Sequence, residues 1–213
     1  MLRTENTRVY FGPPGTGKTT TLMDVVEQLL DDGVKPMRIA YVAFTRAAAN
    51  EAKNCCYKRF KINARALPYW GTLHSIAYAQ LGMLQTRLMT GRHWDKLGHA
   101  LGMSLVDLDE SGRLAPSWSR DKGRLVQSVV SIRRARHLSI DLDELQHEYP
   151  PDDAQAIDLY NRSLEKYKRI HELLDYADLI DQAPGQLPVD ACIVDEAQDL
   201  TPAQWNYVHR LVN

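Results

Sequence analysis

The stretch that constrains this chain most is Gly12–Thr20, GPPGTGKTT. Gly12 to Thr19 satisfies G-x-x-x-x-G-K-[ST], the phosphate-cradling P-loop pattern. Each residue type has a physical reason. Gly12, Gly15 and Gly17 let the backbone turn tightly and bring its N–H groups up to phosphate oxygens, with Pro13, Pro14 and Thr16 completing the loop. Lys18 sets a cation beside the β- and γ-phosphates, and Thr19, followed by Thr20, offers a hydroxyl to Mg²⁺. Arg8–Phe11 (RVYF) reads as a short strand before the loop. Thr19–Leu30 reads as a helix after it, its positive N-terminus facing the anion. A Gly/Pro surface turn is the alternative, but a chance turn would lack that strand and that helix.

Such a loop needs a second half: a carboxylate that holds Mg²⁺ through its water shell, and a group that polarises the attacking water. Val189–Val194 (VDACIV) reads as a buried strand, and it ends in Asp195-Glu196. Asp195 is the expected metal carboxylate and Glu196 the expected general base on water in line with the γ-phosphate. The reaction class these two halves imply is NTP hydrolysis. ATP is preferred over GTP because the GTP-specific N-K-x-D tetrapeptide is absent.

Between these halves the pattern changes twice. Leu22, Val25, Val26, Leu29 and Leu30 recur at helical spacing, and Gly33 is a natural stop. Arg38–Phe44 (RIAYVAF) reads as a second buried parallel strand, followed by a helix over Ala47–Phe60. Thr45-Arg46 at that strand end suits a nucleic-acid phosphate, or equally an N-cap Thr beside a solvated Arg. Ala66–Gly71 is extended, and Thr72–Ser75 leads into a helix ending near Leu84. His74, taken alone, reads as structural. From Thr86 to Leu174 strand signals almost vanish, and helices are expected over His93–Leu101, Arg120–Arg136, Asp141–Glu148 and about Asp152–Leu174. Arg113–His137 holds seven Lys or Arg against one acid. It either tracks a phosphate backbone or is a solvated helix face. Trp94 and Trp118 either stack on bases or pack inside.

The bulk composition excludes some classes. A net charge of −1 over 213 residues does not advertise nucleic-acid binding, so any such surface is local. The three cysteines, Cys55, Cys56 and Cys192, have neither zinc nor disulfide spacing. No apolar run approaches the ~20 residues that span a bilayer, and no signal-peptide pattern opens the chain, so no membrane partner and a cytoplasmic location are expected.

Taken together, FGPPGTGKTTTL, AFTRAAANEAKNC, GTLHSIA, DYADLI and VDEAQDLTPAQW stand in the order and rough spacing of the UvrD/Rep-like superfamily 1 DNA helicases, and the resemblance covers their N-terminal ATP-binding half, including a helical insertion between the third and fourth motifs that itself carries no diagnostic sequence. The resemblance implies an α/β fold: a RecA-like P-loop NTPase parallel sheet with a helical insertion. Residues 1–85 would form the first part of that ATP-binding domain, 86–174 the insertion, and 175–213 the second part. It implies ATP and Mg²⁺ as cofactors, and single-stranded DNA in preference to RNA as partner, in DNA repair or replication. Phe44, Thr45, Arg46 and Asn50 fall on the motif that touches single-stranded DNA, and His74 on the T-x-H segment at the DNA channel. Asp175–Ile180 resembles the D-[FY]-x-D-L segment. Asp195, Glu196 and Gln198 match the motif of metal carboxylate, catalytic glutamate and the glutamine that links ATP state to DNA grip. Members move 3′ to 5′ by closing two RecA-like domains around ATP.

Three features of the family pattern do not appear in the sequence. They are the upstream glutamine motif, the glutamine-bearing strand after the Asp195-Glu196 helix, and the second RecA-like domain with its arginine fingers. An incomplete sheet, with a gap beside the strand ending at Asp195, is therefore expected. So is a separate chain carrying the second domain, and slow hydrolysis by this chain alone. The alternative function is a nucleotide-dependent DNA- or partner-binding module that unwinds nothing.

Overall fold

The structure is a computed structural model, and it describes residues 7–12, 17–82, 87–107 and 121–212. The chain divides into two compact units, one drawn from 1–72 and 188–197, the other from 73–187 and 198–213.

The first unit is α/β. Its centre is β1 (Ile39–Val42), every residue of which is fully buried. The run reads apolar without alternation because a parallel strand with neighbours on both sides and cover on its faces has no solvent side. β2 (Trp70–Gly71) and β3 (Ala191–Val194) flank it in the order β2-β1-β3, all parallel. Tyr41 registers with Trp70 on one side and Ile193 on the other. The ladder runs on past β3, where the Asp195 N–H donates to the Val42 carbonyl at 2.8 Å.

Helices α1 (Lys18–Asp31) and α2 (Arg46–Phe60) pack on each other and share one core with the sheet. Met23 and Val26 of α1, Ala49, Ala52 and Cys56 of α2, and Tyr41, Trp70 and Ile193 of the strands make up much of it. Arg59 of α2 pairs with Asp24 and Glu27 of α1 at the surface, where water screens such pairs. Gly33 has φ +86 and lets the chain leave α1, its N–H and that of Val34 closing the last turn on Leu30 and Leu29.

One expected strand does not form. Arg8–Phe11 carries no regular secondary structure, and Val9 and Phe11 are 65% and 94% exposed. Alternating or apolar residues make a strand only when a neighbour takes up their backbone N–H and C=O groups. None of β1, β2 and β3 pairs with this segment, and among the described residues after β3 there is only helix and turn.

The second unit is helical: α3 (Leu73–Gln80), α4 (Gly91–Leu101), α5 (Lys122–Ala135), α6 (Leu142–Glu148), α7 (Pro151–His171), α8 (Tyr176–Gln182) and α9 (Pro202–Val212). The long α7 packs against α4, α5 and α6 over a core that includes Trp94, Leu97, Val126, Val130, Leu145, Ile157, Tyr160 and Leu164. Trp94 is therefore a packing residue; Trp118 lies outside the described residues. Gly123 lets α5 touch the preceding segment, since a Cβ there would meet the Ser104 carbonyl at 2.2 Å. The buried Gln127 amide pairs with both the N–H and the C=O of Val106, as a neighbouring strand would. In α9 the buried face runs through Ala203, Tyr207, Val208 and Leu211, while Val212 is exposed.

A buried ion cluster ties α5, α7 and α8 together. Arg134 donates to Asp175 and Asp178 at 2.6 Å each, and Lys168 reaches the same two carboxylates at 3.2 and 2.8 Å. Asp175 and Asp178 also cap α8 reciprocally, each accepting the other's backbone N–H. Burial pushes the Asp175 carboxyl up, but Arg134 and Lys168 outweigh it and hold it at about 2.

Candidate nucleotide site and nucleic-acid segments

Pro13, Pro14, Gly15 and Thr16 lie outside the described residues; Gly12, Gly17, Lys18, Thr19 and Thr20 are described. Gly17 caps the N-terminus of α1 with φ +82 and ψ 22, a left-handed conformation that costs a Cβ-bearing residue about 1–2 kcal/mol. A Cβ there would meet nothing closer than 3.9 Å, so the backbone, not space, selects glycine. Among the described residues no side chain caps α1, and its first turn has no acid. The N-terminus therefore presents its partial positive charge uncompensated by the helix's own residues, as an anion site requires.

Lys18 is the first residue of α1, and its Nζ donates to Glu196 Oε2 at 3.4 Å. The two ends of the expected site, far apart in sequence, therefore meet. They do so because α1 begins beside the sheet and β3 ends in Asp195-Glu196 directly after the ladder bond from Asp195 to Val42.

The two carboxylates differ. Asp195 is buried and held at both oxygens: Oδ1 accepts the Glu196 N–H at 3.0 Å, and Oδ2 accepts the Tyr41 hydroxyl at 3.0 Å. Glu196 is 40% exposed along its side chain and faces Lys18. Its backbone sits at φ +51, left-handed for a residue that carries a Cβ. One carboxylate is fixed and the other is accessible, the difference expected between a metal holder and a base that must reach water. Burial, then the charge of Asp195, pushes the Tyr41 hydroxyl well above the ordinary tyrosine range, so it stays a donor.

These residues fit a magnesium triphosphate. Mg²⁺ takes most of its octahedral shell from water and phosphate oxygens and needs only one or two protein groups. One buried carboxylate, a half-buried Thr19 at the first turn of α1 and an ammonium make up such a set.

Of the expected DNA contacts, Thr45 is an N-cap. Its hydroxyl accepts the Ala48 N–H at 3.1 Å, at φ −121 and ψ 155. Arg46 and Asn50 are exposed and four residues apart, on one face of α2; Phe44 is half-buried. In the helical unit, His74 is 7% exposed and meets the Tyr176 ring edge-on at 5.4 Å, the surroundings of a packed histidine. Gln198 lies in the 3-10 turn Ala197–Asp199 that follows Glu196 in the chain.

The basic stretch is not one continuous face. Arg133 is 3% exposed, donating to Glu144 at 3.0 Å and Glu148 at 2.8 Å, and Arg134 belongs to the buried ion cluster. Only Lys122, Arg124 and Arg136 of its described Lys and Arg residues are exposed. A phosphate track through Arg133 and Arg134 is thus excluded, because acids from other helices already take both cations.

Sequence reasoning missed Tyr41. The signal was there: a hydroxyl inside an otherwise apolar buried strand must find an acceptor, and the neighbouring strand ends in an aspartate.

No helix among the described residues is long and apolar enough to cross a membrane. Comparison with curated proteins finds no match. The family model described as the UvrD/REP helicase N-terminal domain matches residues 2–213, from ahead of the phosphate loop to the end of α9. With the loop lysine, the strand-end carboxylates and nearly every residue inside that match, the chain belongs to the UvrD/REP helicase N-terminal domain family.

Proposed function

We propose that this chain is the ATP-binding part of a UvrD-type DNA helicase, binding Mg-ATP and single-stranded DNA and using ATP hydrolysis to move along the strand. The observation that carries the reading is the 3.4 Å meeting of Lys18 with Glu196 beside the pinned carboxylate of Asp195.

In this reading Gly12–Thr20 wraps the phosphates and the N-terminus of α1 faces them. Lys18 exchanges its partner, leaving Glu196 for the more highly charged phosphate oxygens. That exchange releases the Glu196 carboxylate to orient a water and accept its proton. Asp195 and Thr19 would hold a magnesium ion, which would supply charge neutralisation to the bound triphosphate. Phe44, Thr45, Arg46, Asn50 and His74 are assigned to the DNA segments, Thr45, Arg46 and Asn50 being exposed, and Gln198 to the link between nucleotide and DNA grip.

Glu196→Gln tests the proposal. It removes the base and keeps the shape, so Mg-ATP binding stays within about threefold of the wild type. DNA-dependent hydrolysis, measured with any second-domain partner present, falls by about 10²-fold or more. Retained hydrolysis in the variant would defeat the assignment. Nucleotide-dependent DNA binding with no hydrolysis in the wild type would instead favour the binding module.

A further inference from the structure

Tyr41 occupies a position that its core role does not require. It registers with Trp70 on β2 and with Ile193 on β3, and Asp195 lies two residues beyond Ile193. Side chains two apart along a strand share a face, so Tyr41, Trp70 and Asp195 stand on one side of the sheet. The Tyr41 ring stacks on Trp70, centroids 4.9 Å apart and planes at 25°. Trp70 is itself fixed, its indole N–H donating to the Ile39 carbonyl at 3.0 Å. The hydroxyl at the far end of this stack reaches Asp195 Oδ2 at 3.0 Å.

We propose that Tyr41 is a positioning residue for the magnesium site: its hydroxyl sets the orientation of the Asp195 carboxylate, and its stack on Trp70 sets the hydroxyl. The inference rests on the reading of Asp195 as the magnesium carboxylate. An unsupported aspartate can rotate about χ2, which presents either oxygen or the carboxylate edge to a cation. Here Oδ1 is tied to the Glu196 N–H. A second donor on Oδ2 fixes the plane of the group, leaving one lone pair on each oxygen for the metal's water shell. Partners that hold a metal's carboxylate in this way typically contribute about 10–100-fold in metal affinity. A phenylalanine would fill the same space against Trp70, so packing alone does not call for the hydroxyl.

The test is a titration of the whole chain with a fluorescent ATP analogue, read by binding and not by turnover. The nucleotide Kd is measured in EDTA, and the Mg²⁺ half-saturation is measured at fixed nucleotide. For Tyr41→Phe the Mg²⁺ half-saturation rises about tenfold while the EDTA Kd stays within about twofold. Asp195→Asn raises it at least as much, and adding Tyr41→Phe to Asp195→Asn changes it no further. An unchanged Mg²⁺ half-saturation in Tyr41→Phe, with Asp195→Asn weakened, would overturn the role of Tyr41 alone. Equal losses with and without Mg²⁺ would also overturn it, since they mark a loosened core. An Asp195→Asn variant that binds Mg-nucleotide like the wild type would overturn the underlying reading as well. Should Tyr41→Phe not fold, 19F NMR of the wild-type chain labelled with fluorotyrosine decides. A buried tyrosine resonance shifts when Mg²⁺ is added to the nucleotide-bound chain, and no shift overturns the proposal.

Discussion

The ammonium of Lys18 and the carboxylate of Glu196, at opposite ends of the sequence, form an ion pair at 3.4 Å. Their side chains are 27% and 40% exposed, so water screens them and the pair stabilises the fold by about 1 kcal/mol or less. Its meaning is positional. Lys18→Ala is accordingly expected to shift unfolding free energy by no more than about 1 kcal/mol. Its ATP affinity should drop by more than tenfold, because in the proposed reading the ammonium leaves Glu196 for the phosphates when nucleotide binds. Urea melts and equilibrium nucleotide binding on the same preparation check both halves. A variant that loses several kcal/mol would show the lysine to be structural.

Glu196 also carries strain that can be measured. At φ +51 its Cβ costs about 1–2 kcal/mol that glycine avoids. Glu196→Gly and Glu196→Ala both remove the carboxylate, so their difference isolates the backbone. Glycine should be the more stable of the two by about 1 kcal/mol, after its own entropy cost of roughly 0.5–1 kcal/mol is offset. Neither should hydrolyse ATP. Chemical denaturation of the pair gives the answer, and an alanine variant as stable as the glycine one would mean that this turn relaxes.

The helical unit makes a sharper distinction between two neighbouring arginines. Arg134 lies in the buried cluster with Asp175, Asp178 and Lys168, while Arg136 is exposed. Removing Arg134 leaves two buried carboxylates to one ammonium. Arg134→Met should therefore cost about 3 kcal/mol or more, and Arg136→Ala within about 0.5 kcal/mol. A loss of DNA binding in an Arg134 variant would report unfolding unless the melt is shown to be normal. Equal stability of the two variants would contradict the cluster.

How much of this was legible follows from what each feature depends on. α1, β1, α2 and β3 were readable because periodicity, apolar runs and glycine stops are local, and the structure sets their ends within two residues of the expected ones. The pairing of Lys18 with the strand-end carboxylates was readable because the chemistry of a phosphate site demands both. Arg8–Phe11 was not, since a strand needs a partner and composition does not supply one. The fate of Arg133 and Arg134 was hidden for a related reason: the acids that claim them stand on α6 and α8, later in the chain. Tyr41 was passed over as one more apolar strand residue, although its hydroxyl carries the contact to Asp195.

The strand end after β1 joins a helix cap to a proposed DNA contact, and mutation can separate the two. The Thr45 hydroxyl takes the Ala48 N–H at 3.1 Å, and Arg46 is the first, exposed residue of the helix it caps. Thr45→Ala should lower stability by about 1 kcal/mol, and Thr45→Ser should restore most of it by keeping the acceptor. Arg46→Ala should shift the unfolding free energy by about 1 kcal/mol or less, the range of a surface contact. If Arg46 meets a DNA phosphate, its removal weakens single-stranded DNA binding and lowers the salt slope by about one counterion. Fluorescence anisotropy across a salt series measures that slope. A slope identical in Arg46→Ala and wild type would leave the arginine as a solvated helix residue and remove this segment from the DNA path.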